Sequence, residues 1–302
     1  VRWTDRAPRA QILVAAVCFG TTGTAQAQWR PDDASTVAVG SARIVIGALL
    51  LVVVARGGLR AVATRATSPV LLAGGVGVAV YQLSFFAAVD RTGVAVGTVV
   101  AIGSGPAFAG LLARVVNGEA LSRRWAAATA LTAVGVALLG AGSGGDASVD
   151  PTGVVLAVVA GGGYASYAVL AKRLLLAGHG PEPVMAATFS VGALLLVPVL
   201  LASGTAWLAE PEGLALAVYL GAVPTALAYV LFARGLRHVA TGEAATLTLA
   251  EPLTATALGV LVLAERPSGL AIAGAGVVLA GLLVLAGPAR AGGEPVHPEP
   301  VP

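Results

Sequence analysis

Residues 249–268 read LAEPLTATALGVLVLAERPS, and residues 103–122 read GSGPAFAGLLARVVNGEALS. In each, a proline stands inside an apolar run and a glutamate follows 13 residues later: Pro106 with Glu119, and Pro252 with Glu265. Shifting the chain on itself by 146 residues also brings Phe86-Ala87 onto Phe232-Ala233, Arg91 onto Arg237, Ser122 onto Ser268 and Gly135 onto Gly281, without a gap. Identity between the halves is otherwise low. Ordered matches of this kind are the trace that an internal repeat leaves in transporter chains.

The solvent of these repeats follows from composition. Hydrophobic residues make up 57% of the 302 positions and charged ones 11%, less than half the ~25% charge of a soluble domain. The formal charge of +3 is carried by basic residues standing singly or in pairs between apolar runs, so no basic patch is available for nucleic acid. Forty glycines are spread through the apolar segments; small residues let helices in lipid approach closely. Cys18 is the single cysteine, which leaves no disulfide within one chain and no cysteine metal site. His179, His238 and His297 are scattered, no nucleophile–base arrangement converges, and no phosphate-binding Gly-Lys-Ser/Thr loop is present. The reading is therefore not an enzyme, with no cofactor and no metal.

Crossing about 30 Å of hydrocarbon takes around 20 apolar residues, and the backbone must satisfy its own hydrogen bonds there, so such runs are predicted to be helices. Ten are predicted, at 10–28, 36–55, 69–89, 93–115, 125–142, 152–171, 183–202, 214–233, 241–263 and 269–287. The expected fold is an all-α integral membrane protein whose ten transmembrane helices form two inverted five-helix repeats. The first repeat covers 10–142 and the second 152–287. A Pro-rich stretch at 288–302 is expected to be a disordered cytoplasmic tail.

Each half holds an odd number of helices, so the second enters the membrane from the opposite side to the first. Charge distribution agrees with this, because Lys and Arg collect in short cytoplasmic loops. With both termini in the cytoplasm of a bacterial inner membrane, Arg56, Arg60, Arg65, Arg114, Arg123, Arg124, Lys172, Arg173, Arg234 and Arg237 fall inside. Arg30, Arg91 and Arg266 remain outside, among Asp32, Asp33, Asp90, Asp146, Asp150, Glu210, Glu212 and Glu265. A rival layout treats Arg2 to Ala27 as a signal peptide; the repeat, however, needs that first helix to complete its half.

These residues resemble the EamA-type transporters of the drug/metabolite transporter superfamily, over nearly the whole chain. The resemblance rests on Ala42-Arg43-Ile44, on Tyr81 to Ala88, on Gly105-Pro106 followed by Gly118-Glu119-Ala120-Leu121, and on Glu251-Pro252-Leu253 followed by Ala264-Glu265-Arg266. Ala264 stands where the first half has Gly118, a minor departure. The resemblance implies a central cavity between the halves, lined mainly by helices one, three, four, six, eight and nine, and substrates such as amino acids, nucleobases, sugars, nucleotide-sugars or drugs.

Ionisable groups within a span are costly and usually face a wet cavity or the bundle interior. Glu251 stands about 12 Å into its helix, near the midplane, and is the expected substrate contact and proton-coupling group. Arg43, two turns into helix two, is expected to be structural, and Glu243 to cap a helix start. Pro106 and Pro252 each remove a helical hydrogen bond and complete the expected substrate site with Tyr81, Gln82, Tyr164 and Gln26. Thr248, Thr225 and Tyr229 belong to a looser polar set.

The expected function is a secondary transporter, an exporter of small metabolites such as amino acids, working by alternating access. The alternatives are a channel-like facilitator or a non-transport membrane scaffold. The partners are a small-molecule substrate and membrane lipid; small-residue faces such as Gly274, Gly276 and Gly281 suit either a homodimer or packing within the chain.

Overall fold

A computed structural model describes residues 7–56, 58–64, 67–142 and 150–286. The predicted tail at 288–302 and the loop containing Asp146 lie outside the described residues. The described chain is helical, without strands. Eight helices are long and apolar enough to cross a membrane: α2 (Thr36–Val54), α3 (Ser68–Gly93), α4 (Val96–Asn117), α5 (Arg123–Gly142), α6 (Pro151–Leu176), α7 (Pro181–Ala202), α8 (Pro211–Leu236) and α9 (Thr241–Val262). Before them stands α1 (Ala7–Trp29), whose apolar run is diluted by Thr21, Thr22, Thr24, Gln26 and Gln28; after them comes the shorter α10 (Gly269–Ala286). Leucines and valines that are exposed here, such as Val53, Val115, Leu194, Leu261 and Leu283, form the outward faces that lipid covers.

Helix ends are set by the residues one would choose for them. Pro151, Pro181 and Pro211 open α6, α7 and α8, where a missing N–H removes nothing from the helix. Ser35 caps α2 through the amide of Ala38 at 3.1 Å. Asp150 caps α6 by accepting from Thr152 N at 2.9 Å and faces Arg91 of α3 at 3.3 Å. The Thr152 amide, and then Arg91, hold its carboxyl below the usual aspartate range.

The two segments that resemble one another in sequence also end alike. Glu119 N bonds Ala113 O at 3.3 Å and Glu265 N bonds Gly259 O at 3.0 Å, the six-residue closure of a Schellman turn. The residue before each glutamate is left-handed, Gly118 at φ +68° and Ala264 at φ +55°. Ser122 then caps α5 at Trp125 N, 3.0 Å, and Ser268 caps α10 at Ala271 N, 3.2 Å. Every one of these pairs is separated by the same 146 residues as the sequence matches.

Helix α1 packs on α8 and α9, and α6 packs on α3 and α4; α2 meets α7 and α8, while α7 meets α3; α5 pairs with α10. Two glycines permit close crossings beside the proline-bearing helices. A Cβ on Gly20 of α1 would fall 2.8 Å from Glu251 O in α9, and one on Gly161 of α6 would fall 3.0 Å from Ala101 O in α4. Gly274 and Gly281 of α10 are used inside the monomer: a Cβ there would meet Gly135 O at 2.8 Å and Thr132 Cγ2 at 2.5 Å in α5. Gly276 has open space beside it.

Two features depart from the expected layout. Helices α3 and α4 follow one another with almost no connection, turning at Gly93 (φ +78°, ψ 161°), a region essentially closed to residues with a Cβ. Lys172, expected among the loop charges, lies instead within α6, 6% exposed, because α6 continues to Leu176. Its ammonium donates to Leu236 O at 2.6 Å, Val239 O at 3.0 Å and Arg237 O at 3.2 Å, so it closes the C-terminal end of α8, where helix carbonyls lack partners and a cation is favoured. Arg124 does the same for α10 through Val284 O at 2.6 Å and Leu285 O.

Both departures give stability predictions for detergent-solubilised protein. Gly93→Ala meets no neighbouring atom, so only backbone strain acts against it; a loss on the order of 1–3 kcal/mol lowers the melting temperature, whereas Gly162→Ala, helical and equally open, does not lower it. Lys172→Met orphans three carbonyls and is expected to cost about 1–3 kcal/mol, read in the same melting assay. An unchanged midpoint in either Gly93→Ala or Lys172→Met contradicts the role given to that residue.

Candidate functional site

Among α1 to α4, α6, α8 and α9 lies a cavity of about 530 Å³, counting the space that opens to the exterior. Its wall comes from Phe19 of α1, Arg43 of α2, Tyr81 of α3, Ala101, Ile102, Gly105 and Pro106 of α4, Tyr164 of α6, Tyr229 of α8, and Ala245, Thr248 and Glu251 of α9. The helices that the resemblance implied are all present in this wall, and α2 joins them through Arg43.

Local irregularities in α8 and α9 shape this wall. Pro252 has no N–H to give to Thr248 O, and the chain tightens around that position: Leu249 N bonds Thr246 O at 3.1 Å and Glu251 N bonds Thr248 O at 2.9 Å. The regular helix is thereby divided into Thr241–Leu247 and Ala250–Val262. Thr248 donates to Ala245 O at 2.7 Å, so its oxygen accepts the Tyr164 hydroxyl at 3.1 Å. Helix α8 is widened into a π segment, Ala222–Leu227, around Pro224; Thr225 answers the freed carbonyl of Leu220 at 2.7 Å. Pro106, by contrast, is accommodated in a helix that continues through it.

Aromatic rings join the two sides. Tyr81 lies 6.2 Å from Tyr164, Tyr164 5.3 Å from Tyr167, Tyr167 5.9 Å from Tyr229, and Tyr229 5.0 Å from Phe19, all between ring centroids. The hydroxyls of Tyr167 and Tyr229 are hydrogen-bonded at 3.1 Å. Rings in mutual contact at these spacings hold one another's orientation, which gives the cavity a rigid, amphipathic lining.

Two charges of opposite sign face this space. Arg43 donates to Gln82 Oε1 at 3.3 Å, its one hydrogen bond among the described residues. Its Nε and the Gln82 Nε2 are buried without partners. The Glu251 carboxylate has no hydrogen-bond or ion-pair partner among the described residues, and no salt bridge joins it to Arg43.

Of the residues predicted from sequence, Glu251, Pro106, Tyr81 and Tyr164 stand on this wall. Gln82 stands behind it, 2% exposed, as the support of Arg43. Pro252 shapes the break in α9 without lining the cavity, and Gln26 does not line it either. Arg43 is placed on the wall, against the expectation of a role outside the cavity. It satisfied the same rule as Glu251, an ionisable group within a span, and that rule was the signal that could have found it. Tyr229 and Thr248 had been named only among loosely grouped polar residues; Phe19, Ile102, Ala101 and Ala245 carry no signal that a sequence displays.

The remaining singled-out acids act at the helix ends. Glu243 is in the first turn of α9 and pairs with Arg9 of α1 at 2.6 Å. Glu119 accepts from both the amide and the hydroxyl of Thr241, each at 2.6 Å, and so ties the end of α4 to the start of α9. Its repeat counterpart Glu265 has no hydrogen-bond partner for its carboxylate among the described residues. The described residues contain no cluster of three His, Cys, Asp or Glu able to hold a metal ion.

The chain is similar in sequence to proteins named as transporters. An uncharacterized transporter of Bacillus subtilis (strain 168), YwfM, is 38% identical over 281 residues, covering 92% of this chain and 93% of that protein. An uncharacterized transporter of Archaeoglobus fulgidus is 32% identical over 134 residues, 44% of this chain and 47% of that one. A protein of known crystal structure superposes with a TM-score of 0.79 at 20% identity, over 92% of this chain and 96% of the other, a likeness of fold alone. The family and these relatives are named as transporters and not as enzymes. The model of the EamA-like transporter family matches twice, at 10–141 and at 151–287, and the chain belongs to that family.

Proposed function

We propose that the chain is a secondary carrier that exports a small metabolite, such as an amino acid, across a bacterial inner membrane. Its ten helices span the bilayer as two inverted five-helix halves, with both termini in the cytoplasm. The observation that carries this reading is the cavity itself. It lies where α1 and α6 cross the proline-bearing helices of the opposite half, and repeat interfaces near the midplane are where carriers with inverted repeats bind.

Alternating access follows from exchanging the conformations of two like units. The end bearing Glu119 is tied across the halves by the Glu119–Thr241 bonds and by Arg9–Glu243. Glu265, at the matching place in the other half, is unengaged. A second conformation in which Glu265 is engaged and Glu119 released is the inward–outward counterpart of this one. The carboxylate of Glu251 is the group through which a proton gradient couples to transport.

Counterflow in proteoliposomes tests the reading, using a panel of labelled amino acids, nucleobases and sugars with and without an imposed proton gradient. Saturable counterflow of one class, accelerated by the gradient in the wild type and not in Glu251→Gln, is expected. No counterflow of any class from folded protein overturns the carrier, and an equal response of Glu251→Gln to the gradient overturns the coupling role.

A further inference from the structure

We infer that the cavity selects zwitterions, binding a substrate carboxylate at Arg43 and a substrate ammonium at Glu251; this rests on the carrier reading and narrows it to a charge pattern. The argument begins with the cost of the two charges. An ionised group within a span is expensive unless it is paired, and an ion pair holds together in a low-dielectric site only with close geometry and further hydrogen bonds. Arg43 and Glu251 line one cavity, yet among the described residues no salt bridge joins them. A pair kept for architecture would be closed. Here each group is held on its own helix, α2 for one and α9 for the other.

The surroundings leave them available. Gln82 accepts one Arg43 N–H at 3.3 Å and supplies no charge, so the guanidinium keeps donors for a carboxylate, which its planar fork fits. Glu251 is in the first turn after the break at Thr248–Leu249, and its backbone oxygen is pressed against Gly20. That contact fixes the start of the helix while the carboxylate has no hydrogen-bond or ion-pair partner among the described residues. Tyr81, Tyr164 and Tyr229 line the same cavity, and aromatic rings accept both an ammonium and the apolar part of a small molecule.

Other charge patterns fit less well. An amine without a carboxylate leaves Arg43 uncompensated, an acid without an amine leaves Glu251 so, and a neutral sugar leaves both. Each such mismatch desolvates a charge that gains nothing in return.

The test uses the full chain in proteoliposomes, with a pool of the common amino acids as labelled counterflow substrate. The unlabelled competitors are the pooled amino-acid methyl esters, the corresponding decarboxylated amines and the corresponding deaminated acids. Expected is competition by unlabelled amino acids, with the three other pools weaker by at least about tenfold, the direction expected when buried polar groups are left unpaired. Arg43→Gln is expected to narrow the gap between amino acids and methyl esters, and Glu251→Gln the gap between amino acids and deaminated acids. If either variant fails to fold, the wild-type competition series still decides. Esters, amines or acids that compete as well as amino acids overturn the zwitterion inference and leave the carrier standing, as does counterflow confined to nucleobases or sugars. Absence of counterflow for every solute overturns both.

Discussion

Helices from the two parts of the chain meet at backbone distance on glycine, and the site depends on that approach. Gly20 on the Glu251 carbonyl and Gly161 on the Ala101 carbonyl bring α1 onto α9 and α6 onto α4 at backbone distance. In lipid there is no expulsion of apolar surface to press helices together, so packing at small residues supplies the association. A methyl group at either place would separate the helices and widen the cavity between them. The proline in each partner helix lies close to these crossings, where the neighbouring backbone limits how far the weakened helix can bend.

From that approach follows the placement of charge. Glu251 is carried into the cavity by the helix that begins beside Pro252, and Arg43 enters from α2 with Gln82 behind it. Among the aromatic rings of the wall, small residues such as Ala101, Gly105 and Ala245 complete the lining. Polar groups that serve architecture are satisfied elsewhere: Lys172 on the α8 carbonyls, Arg124 on those of α10, Glu119 on Thr241, Arg9 on Glu243. These helix ends are thus closed by polar partners, whereas Glu251 and the Arg43 Nε lack them among the described residues.

How much of this could be read from the chain depends on what hydrocarbon leaves visible. Helix extents are legible because a span needs a minimum apolar length, and the predicted 241–263 and 36–55 match Thr241–Val262 and Thr36–Val54 closely. The break at Pro252 and the wall positions of Glu251, Pro106, Tyr81 and Tyr164 follow from residue chemistry. Which face of a span looks inward is not legible, since helices that are apolar all round carry no contrast between faces. For that reason Gln26 was expected on the wall and is absent from it, and Phe19 and Tyr229 were not singled out. Lys172 was misplaced for a related reason: a charge seemed to mark the end of a span, whereas a lysine can enter it when unpaired carbonyls are waiting. The Gly93 corner between α3 and α4 was hidden because its residues also suit a simple loop.

The central claim is that one cavity, the one between Arg43 and Glu251, is reached from both sides of the membrane in turn. Ile102 lines it and is partly exposed to it, so Ile102→Cys in a Cys18→Ala background reports its access directly when a membrane-impermeant thiol reagent is applied to sealed vesicles from one side or the other. The account predicts labelling from each side, with a transported solute changing the ratio of the two rates in opposite directions. Labelling from one side alone under every condition, or equal rates from both sides that no solute shifts, would contradict it.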